Sequence, residues 1–345
     1  MNFTRESIFV GAIRSLCTSL ATMLGIAIGI GLIVMGLAFI IGPQYIPPKS
    51  EPVIMPDAEG DRALLSGHSP AILRIDLRGV IGVGDLTSDK IENVLLDSRE
   101  DFLQGNRVKA VLLYINTPGG ASDDCANIFM ALSNYKTKYN VPIYAYVDGM
   151  CASAGMYIAC VADKIYASPS SVIGSVGVRL GPVFNFSGAM EKVGVSSLTL
   201  TQGKDKDALN PFRPWGPNED EDLKAIMAVL YDRFLTVVTT ARPKLDKEKL
   251  INDYGAYIFI AKHAAELGYI DDGDMDYSRS LSSLVAAAQI PEHEKYQVVQ
   301  LIPSHPFLNS LSQSISPHKL LQSLGFSSPT NNPELNGKVL YLYQP

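Results

Sequence analysis

The sequence predicts an α/β fold of repeated strand, glycine-turn and helix units, preceded by one transmembrane helix. Apolar runs of strand length at 108–115 and 141–147 each end in a glycine turn and are followed by a helical pattern. The anchor is predicted because residues 15–42 carry no charged side chain. Only 19% of the 345 residues are charged and 47% are apolar, which indicates a chain that lies partly in lipid.

The predicted anchor is Leu20–Ile41, which is apolar apart from Thr22 and glycines. A helix of this length spans about 33 Å, close to the thickness of the hydrocarbon core. A cleavable signal peptide is the alternative, but its apolar stretch would be only about 7–15 residues long. Arg5 and Arg14 precede the span and several acids follow it, so the positive-inside rule predicts a cytoplasmic N-terminus.

Charge and cysteine spacing exclude several classes of function. The net charge is −6 and there is no basic stripe, so nucleic acid is not an expected partner. The cysteines and histidines lack the spacing of metal ligands, so no metal site is expected. Cys151 and Cys160 are expected on one helix, about 13 Å apart and too far for a disulfide. All four cysteines are therefore expected to be reduced.

Composition divides the chain into four predicted parts. Residues 1–42 form a short stub and the anchor, and the proline-rich residues 43–70 form a linker. Residues 71–276 form the α/β domain, beginning with strands or a hairpin that turns at Arg78-Gly79. Residues 277–345 form a C-terminal extension that is rich in Ser, Pro, Asn and His and has no interpretable motif.

Ser153 is the candidate nucleophile. It follows a predicted strand and begins a helix, among small neighbours that leave room for a peptide. A helix N-cap is the common alternative for such a serine, and the G-x-S-x-G elbow is broken by Cys151. The glycines of Pro118-Gly119-Gly120 allow backbone N–H groups to face a bound carbonyl, with the Ala154 amide as a second donor. A plain turn is the alternative for these glycines.

The residues alone leave more than one candidate for the general base. Residues 103–215 contain no histidine, and His263 is predicted on an exposed helix face. The segment 203–207 offers Lys204 and Lys206, although a solvated loop is the simpler interpretation. A lysine amine with an ordinary pKa is neutral in only about one molecule in 2,500 at pH 7, so a lysine base needs burial.

Several ordered segments carry a family resemblance. They are LYINTPGG at 113–120, ASAGMY at 152–157, ADKI at 162–165, GSVGV at 174–178, EKVGV at 191–195, GKDKD at 203–207 and LGYID at 267–271. Together they resemble the signal peptide peptidase A, or protease IV, family of membrane-anchored Ser-Lys peptidases, which share the Clp protease/crotonase-like fold. The resemblance covers roughly residues 70–273.

The resemblance implies roles for individual residues. Ser153 becomes the nucleophile, Lys206 the general base with Lys204 as runner-up, and Ser175 the serine that holds the lysine amine. Gly119 or Gly120 and Ala154 become the oxyanion donors. Met156, where the family usually has an aromatic residue, and Asp205, an acid beside the base, depart from the family pattern.

The resemblance also implies a function. Residues 71–276 become a serine endopeptidase domain that hydrolyses hydrophobic peptides such as released signal peptides, without a metal or an organic cofactor. The chain is expected in a bacterial inner membrane, contacting lipid through residues 20–41, with the catalytic domain outside and a ring-like homo-oligomer as the assembly. The alternatives are an inactive membrane scaffold of the same fold and a crotonase-type acyl-CoA enzyme.

Overall fold

The structure is a computed structural model that describes residues 8–41, 49–303 and 339–343. In its first unit, Met1–Pro48, the described residues form helix α1 (Ile8–Ile41). Within α1, the stretch Val10–Ile33 is long and apolar enough to cross a membrane, and it overlaps the predicted span 20–41.

The second unit, Lys49–Pro345, contains two sheets in its described part. The larger sheet has eight strands and the smaller has two. In chain order the strands are β1 (Glu51–Met55), β2 (Ala71–Arg78), β3 (Val108–Thr117), β4 (Gly119–Ala121), β5 (Ile143–Ala152), β6 (Lys164–Ala167), β7 (Val172–Gly174), β8 (Ile258–Ile260), β9 (Gln297–Ile302) and β10 (Leu340–Leu342).

The larger sheet has the order β1-β9-β2-β3-β5-β7-β8, and β6 also pairs with β5. Its centre is parallel, whereas β1 and β8 pair antiparallel with β9 and β7. β3 is buried along its length except at Lys109 and Asn116, as a central parallel strand covered on both faces must be. The smaller sheet pairs β4 with β10.

Helices cover both faces of the larger sheet. They are α2 (Ser88–Asp97), α3 (Ser122–Tyr139), α4 (Ala154–Ala159), α5 (Ser187–Lys192), α6 (Glu221–Ala241), α7 (Lys247–Lys249), α8 (Ala261–Leu267) and α9 (Tyr277–Ala287). The main core contains residues from α2, α3, α4, α6 and α8. On the opposite face, Leu281 and Leu284 of α9 join Tyr144 and Tyr146 of β5 in a second core.

Two predicted boundaries differ from the structure. The predicted linker 43–70 contains β1, and the predicted extension 277–345 contains α9, β9 and β10. β1 is an edge strand and contains Pro52, a residue that sheets tolerate at an edge and that reads as a linker in the sequence. These segments are therefore strands of the two sheets and a helix packed on the larger sheet, not a linker and a separate extension.

Three local expectations also differ from the structure. Of the two alternatives for this segment, the strand is confirmed as β2 and the hairpin at Arg78-Gly79 is wrong, because β2 runs parallel to β3 through Arg78. Cys151 lies on β5 and Cys160 follows α4, so the two cysteines do not share a helix. β5 continues past the turn expected at Asp148-Gly149, because Met150–Ala152 pair with β7. All four cysteines are free.

Candidate active site

Ser153 lies at the sharp junction between β5 and α4. Its backbone has φ +56° and ψ −117°, a conformation that is strained for a residue with a side chain. The residue is 1% exposed, and its side chain makes no capping hydrogen bond to α4. A buried serine on a strained strand-to-helix turn is typical of a nucleophile elbow, so the N-cap alternative loses its main support.

Ser175 is placed beside Ser153 by strand register. Ala152 of β5 is the parallel partner of Gly174 of β7, so the next residue of each strand leaves the sheet at the same edge. The Ser153 amide donates to the Gly174 carbonyl at 2.9 Å. Ser175 is buried, has φ +56° and donates its own amide to the Tyr257 carbonyl at 2.8 Å. Both serines are thus fixed by backbone hydrogen bonds at one end of the sheet.

The glycine turn adjoins the same junction. A Cβ built on Gly119, at φ +102°, would lie 3.0 Å from both the Ala154 amide nitrogen and Ser153 Cβ. The Gly119 amide donates to Thr117 Oγ1 at 3.1 Å, so this donor is already used. The Ala154 amide belongs to the first turn of α4, where N–H groups have no acceptor within the helix. Of the two glycines, Gly120 is therefore the better oxyanion donor to pair with Ala154.

The lysines lie in solvent in the single chain. Lys206 is exposed on a turn, with its amide 3.4 Å from the Gly203 carbonyl. The Lys204 side chain is 93% exposed, and its Nζ lies 3.6 Å from the Asp205 carboxylate. Asp205, the acid beside the proposed base, thus pairs with Lys204. One chain brings the two serines together but does not bury Lys206 with them.

Two other nucleophile or base candidates are disfavoured. Burial raises the pKa of the Cys151 thiol, which keeps it protonated and unreactive. His263 lies exposed on α8, with its Nδ1 3.1 Å from the Glu266 carboxylate. Among the residues that the structure describes, no group of three or more His, Cys, Asp or Glu side chains is placed to hold a metal ion.

Sequence reasoning missed the segment 339–343, which contains β10. It runs antiparallel to β4, with Tyr341 opposite Gly120. On its other side, the backbones of Leu340 and Arg179 exchange hydrogen bonds of 3.1 and 3.0 Å. The signal available in the sequence was a run of β-forming residues, Val-Leu-Tyr-Leu-Tyr, near the end of a mostly polar region.

Comparisons with known proteins agree with this architecture. The family model for Peptidase family S49 matches residues 136–281, and that for Clp protease matches residues 82–173. The fold is thus Clp protease-like. Among solved structures, the 1510-N membrane-bound stomatin-specific protease aligns at 17% identity with a TM-score of 0.40, covering 70% of this chain and 100% of that chain.

Two relatives carry protease names. An Enterococcus faecium protein named as a signal peptide peptidase, SppA, is 31% identical over 58% of this chain and 59% of its own length. The chain thus spans less than two thirds of that relative. A Synechocystis protein named as a protease, slr0021, is 32% identical over 58% of this chain and 68% of its own length. The chain therefore belongs to peptidase family S49, the signal peptide peptidase A and protease IV family.

Proposed function

We propose that this chain is a membrane-anchored serine endopeptidase that hydrolyses hydrophobic peptides, such as released signal peptides, with a Ser153–Lys206 dyad. The observation that carries the proposal is the conformation of Ser153, a buried serine at φ +56° between a strand and a helix. Family membership favours this function over an inactive scaffold or an acyl-CoA enzyme.

The reaction is acyl transfer. Neutral Lys206 takes the proton from Ser153 Oγ, and this oxygen attacks the peptide carbonyl carbon. The N–H groups of Gly120 and Ala154 stabilise the negative oxygen of the tetrahedral intermediate. Collapse of the intermediate breaks the C–N bond, and the leaving amine receives the proton from the lysine. Water, activated by the same amine, then releases the acyl group from Ser153.

A neighbouring copy of the chain supplies the burial that Lys206 needs. The chain around Lys206 exposes large apolar side chains, a feature typical of an association surface. Leu198 and Leu200 are 84% and 85% exposed, and Val193 and Phe184 are 75% and 63% exposed. A ring-like homo-oligomer would cover them and exclude water from the lysine amine. Ser175 would then orient that amine toward Ser153.

We further propose that the active site lies at a membrane. In this proposal α1 anchors the chain in a bacterial inner membrane as a single-pass protein, with the catalytic domain on the outer side. The apolar stretch Val10–Ile33 supports the anchor, and the positive-inside rule supports the orientation. Leu64 is 75% exposed, so a Leu64→Cys variant tests this topology. A membrane-impermeant maleimide should label that thiol in spheroplasts without lysis. Labelling that requires lysis would place the domain in the cytoplasm.

A serine-directed fluorophosphonate tests the dyad. It should label wild-type protein at Ser153, and Lys206→Ala should abolish that labelling. Lys204→Ala is the matched control, because it removes the same charge from the same turn, and it should label normally. Equal loss in the two lysine variants, or labelling at Cys151, would overturn the assignment.

A further inference from the structure

Two neighbouring cavities lie at the edge of the larger sheet opposite to Ser153. The first has a volume of about 720 Å³, and its lining includes Val108, which begins β3, and Pro142, which precedes β5. The second has a volume of about 620 Å³ and shares Asn106 and Lys109 with the first. Ser153 follows the carboxyl end of β5, whereas these cavities adjoin the starts of the parallel strands. They therefore do not belong to the candidate active site.

The linings of the two cavities are basic, although the net charge of the chain is −6. They contain five cationic side chains, Arg99, Arg107, Lys109, Lys136 and Lys138, and two acids, Asp163 and Glu294. Five cations against two acids leave an excess of three positive charges. Asp163 is already paired with Lys136, at 2.7 Å. A concave surface with such an excess of one charge attracts ligands of the opposite charge.

Arg107 is a buried cation whose hydrogen-bond acceptors are all neutral. The residue is 4% exposed and lines the second cavity. Its guanidinium donates to the Ser69 carbonyl at 2.9 Å, to the Phe102 carbonyl at 2.5 Å and to Gln297 Oε1 at 3.0 Å. Burying a charge is costly unless an opposite charge lies near it. An anion in the adjoining cavity would supply that opposite charge.

Arg99 lines the first cavity and has unused donors. Its Nε and Nη2 are buried and make no hydrogen bond to the residues that the structure describes. Its Nη1 donates to the Val108 carbonyl through a long bond of 3.4 Å. The guanidinium carbon lies 3.8 Å from the ring centroid of Tyr139 and 4.6 Å from that of Tyr135, so the group is held by cation–π contacts. A planar guanidinium with free N–H groups matches the paired oxygens of a phosphate.

We propose that the two cavities form one site for a phosphate-bearing ligand, with Arg99 and Lys109 contacting the phosphate oxygens. A phosphate monoester carries nearly two negative charges at neutral pH, which suits the excess of positive charge better than a carboxylate does. Because the free nitrogens of Arg99 are covered, this side chain shifts toward the cavity when the ligand binds. The phosphate belongs either to a small soluble compound or to the headgroup of phosphatidic acid. The site is independent of the proposed peptidase function, because it uses none of the same residues.

The first arm of the test measures binding of inorganic pyrophosphate to the full chain in detergent micelles by isothermal titration calorimetry. Binding should saturate at one site, and Lys109→Glu should weaken it by at least about tenfold, because this residue is exposed and lines both cavities. Lys262→Glu is the matched control. It makes the same charge change at an exposed lysine of α8 that lines neither cavity, and it should alter the affinity by less than about twofold.

The second arm tests the lipid source. The full chain is placed in phosphatidylcholine nanodiscs with or without phosphatidic acid, and its thermal unfolding is measured. If the phosphate is a lipid headgroup, phosphatidic acid should raise the melting temperature of Lys262→Glu but not that of Lys109→Glu. Pyrophosphate binding without this lipid effect would identify a soluble ligand. If neither probe binds, or if the two variants respond equally to both probes, the phosphate site is refuted.

Discussion

Replacing Gly119 by alanine should block the candidate oxyanion site. Gly119 has φ +102°, and a Cβ there would lie 2.1 Å from the Tyr341 carbonyl oxygen. The same Cβ would lie 3.0 Å from the Ala154 amide nitrogen, so it would occupy the space that a substrate carbonyl needs. The backbone conformation alone costs a residue with a side chain about 1–2 kcal/mol.

The expected loss of activity follows because the added Cβ blocks the Ala154 amide, one of the two candidate oxyanion donors. Losing one oxyanion donor typically lowers kcat by about 100-fold to 1,000-fold, or about 2.7–4 kcal/mol. Gly119→Ala should therefore lower kcat/KM for a peptide substrate by at least about 100-fold. The free energy of unfolding should fall by more than the backbone strain of about 1–2 kcal/mol, because β10 must also shift to relieve the 2.1 Å contact with the Tyr341 carbonyl oxygen.

Gly60→Ala is the control for backbone strain. Gly60 has φ +90° and nothing within 4 Å of its added Cβ, so the substitution strains the chain without blocking any group. Thermal unfolding should shift more in Gly119→Ala than in Gly60→Ala, because only the Cβ on Gly119 meets a close neighbour, and peptide hydrolysis should fall only in Gly119→Ala. If Gly119→Ala keeps its activity within about threefold of wild type, the oxyanion assignment is wrong.

Three further results are expected. Ser175→Ala should slow both peptide hydrolysis and fluorophosphonate labelling by about tenfold to 100-fold, because the Lys206 amine loses the hydroxyl that orients it. An unchanged labelling rate would contradict a positioning role for Ser175. Asp271→Asn should lower the free energy of unfolding by about 3 kcal/mol in denaturant titrations. The wild-type carboxylate lies 2.8 Å from the buried Arg242 guanidinium, and the substitution leaves that cation without its charged partner. A loss below about 1 kcal/mol would argue against a strong ion pair. Burial favours protonation of Asp271, but the Ile165 amide and Arg242 outweigh it and lower its pKa. Its contribution to stability is therefore present above about pH 4 and is lost as pH falls below that value. The free energy of unfolding, measured against pH, should fall less below about pH 4 in Asp271→Asn than in wild type, and equal losses would contradict this role.

The strands that position the site were predictable, because a strand buried on both faces appears in the sequence as a continuous apolar run. β3 appears as an apolar run that ends at a glycine turn, and the helical pattern predicted after this turn is helix α3. Ser153 was found because small residues and a strand precede a helical pattern. Its strained backbone, which argues most strongly for catalysis, depends on how β5 pairs with β7 and is not visible in sequence.

The remaining parts depend on contacts between residues far apart in the chain. β1 and β9 are each short, and their pairing joins residues 51–55 to 298–302. Likewise, β10 is three residues long and gains its partners from the glycine turn and Arg179. No local pattern specifies these partners, so a proline-rich stretch was interpreted as a linker and a polar region as an extension.

Mixing two inactive variants tests the shared Ser153–Lys206 site most directly. Ser153→Ala and Lys206→Ala proteins, each inactive alone, are dissociated, combined in equal amounts and reassembled, and peptide hydrolysis is measured. If each site takes its serine from one chain and its lysine from a neighbour, random assembly should restore about a quarter of wild-type activity. Mixed oligomers that show no activity above the separate variants would contradict a site shared between chains.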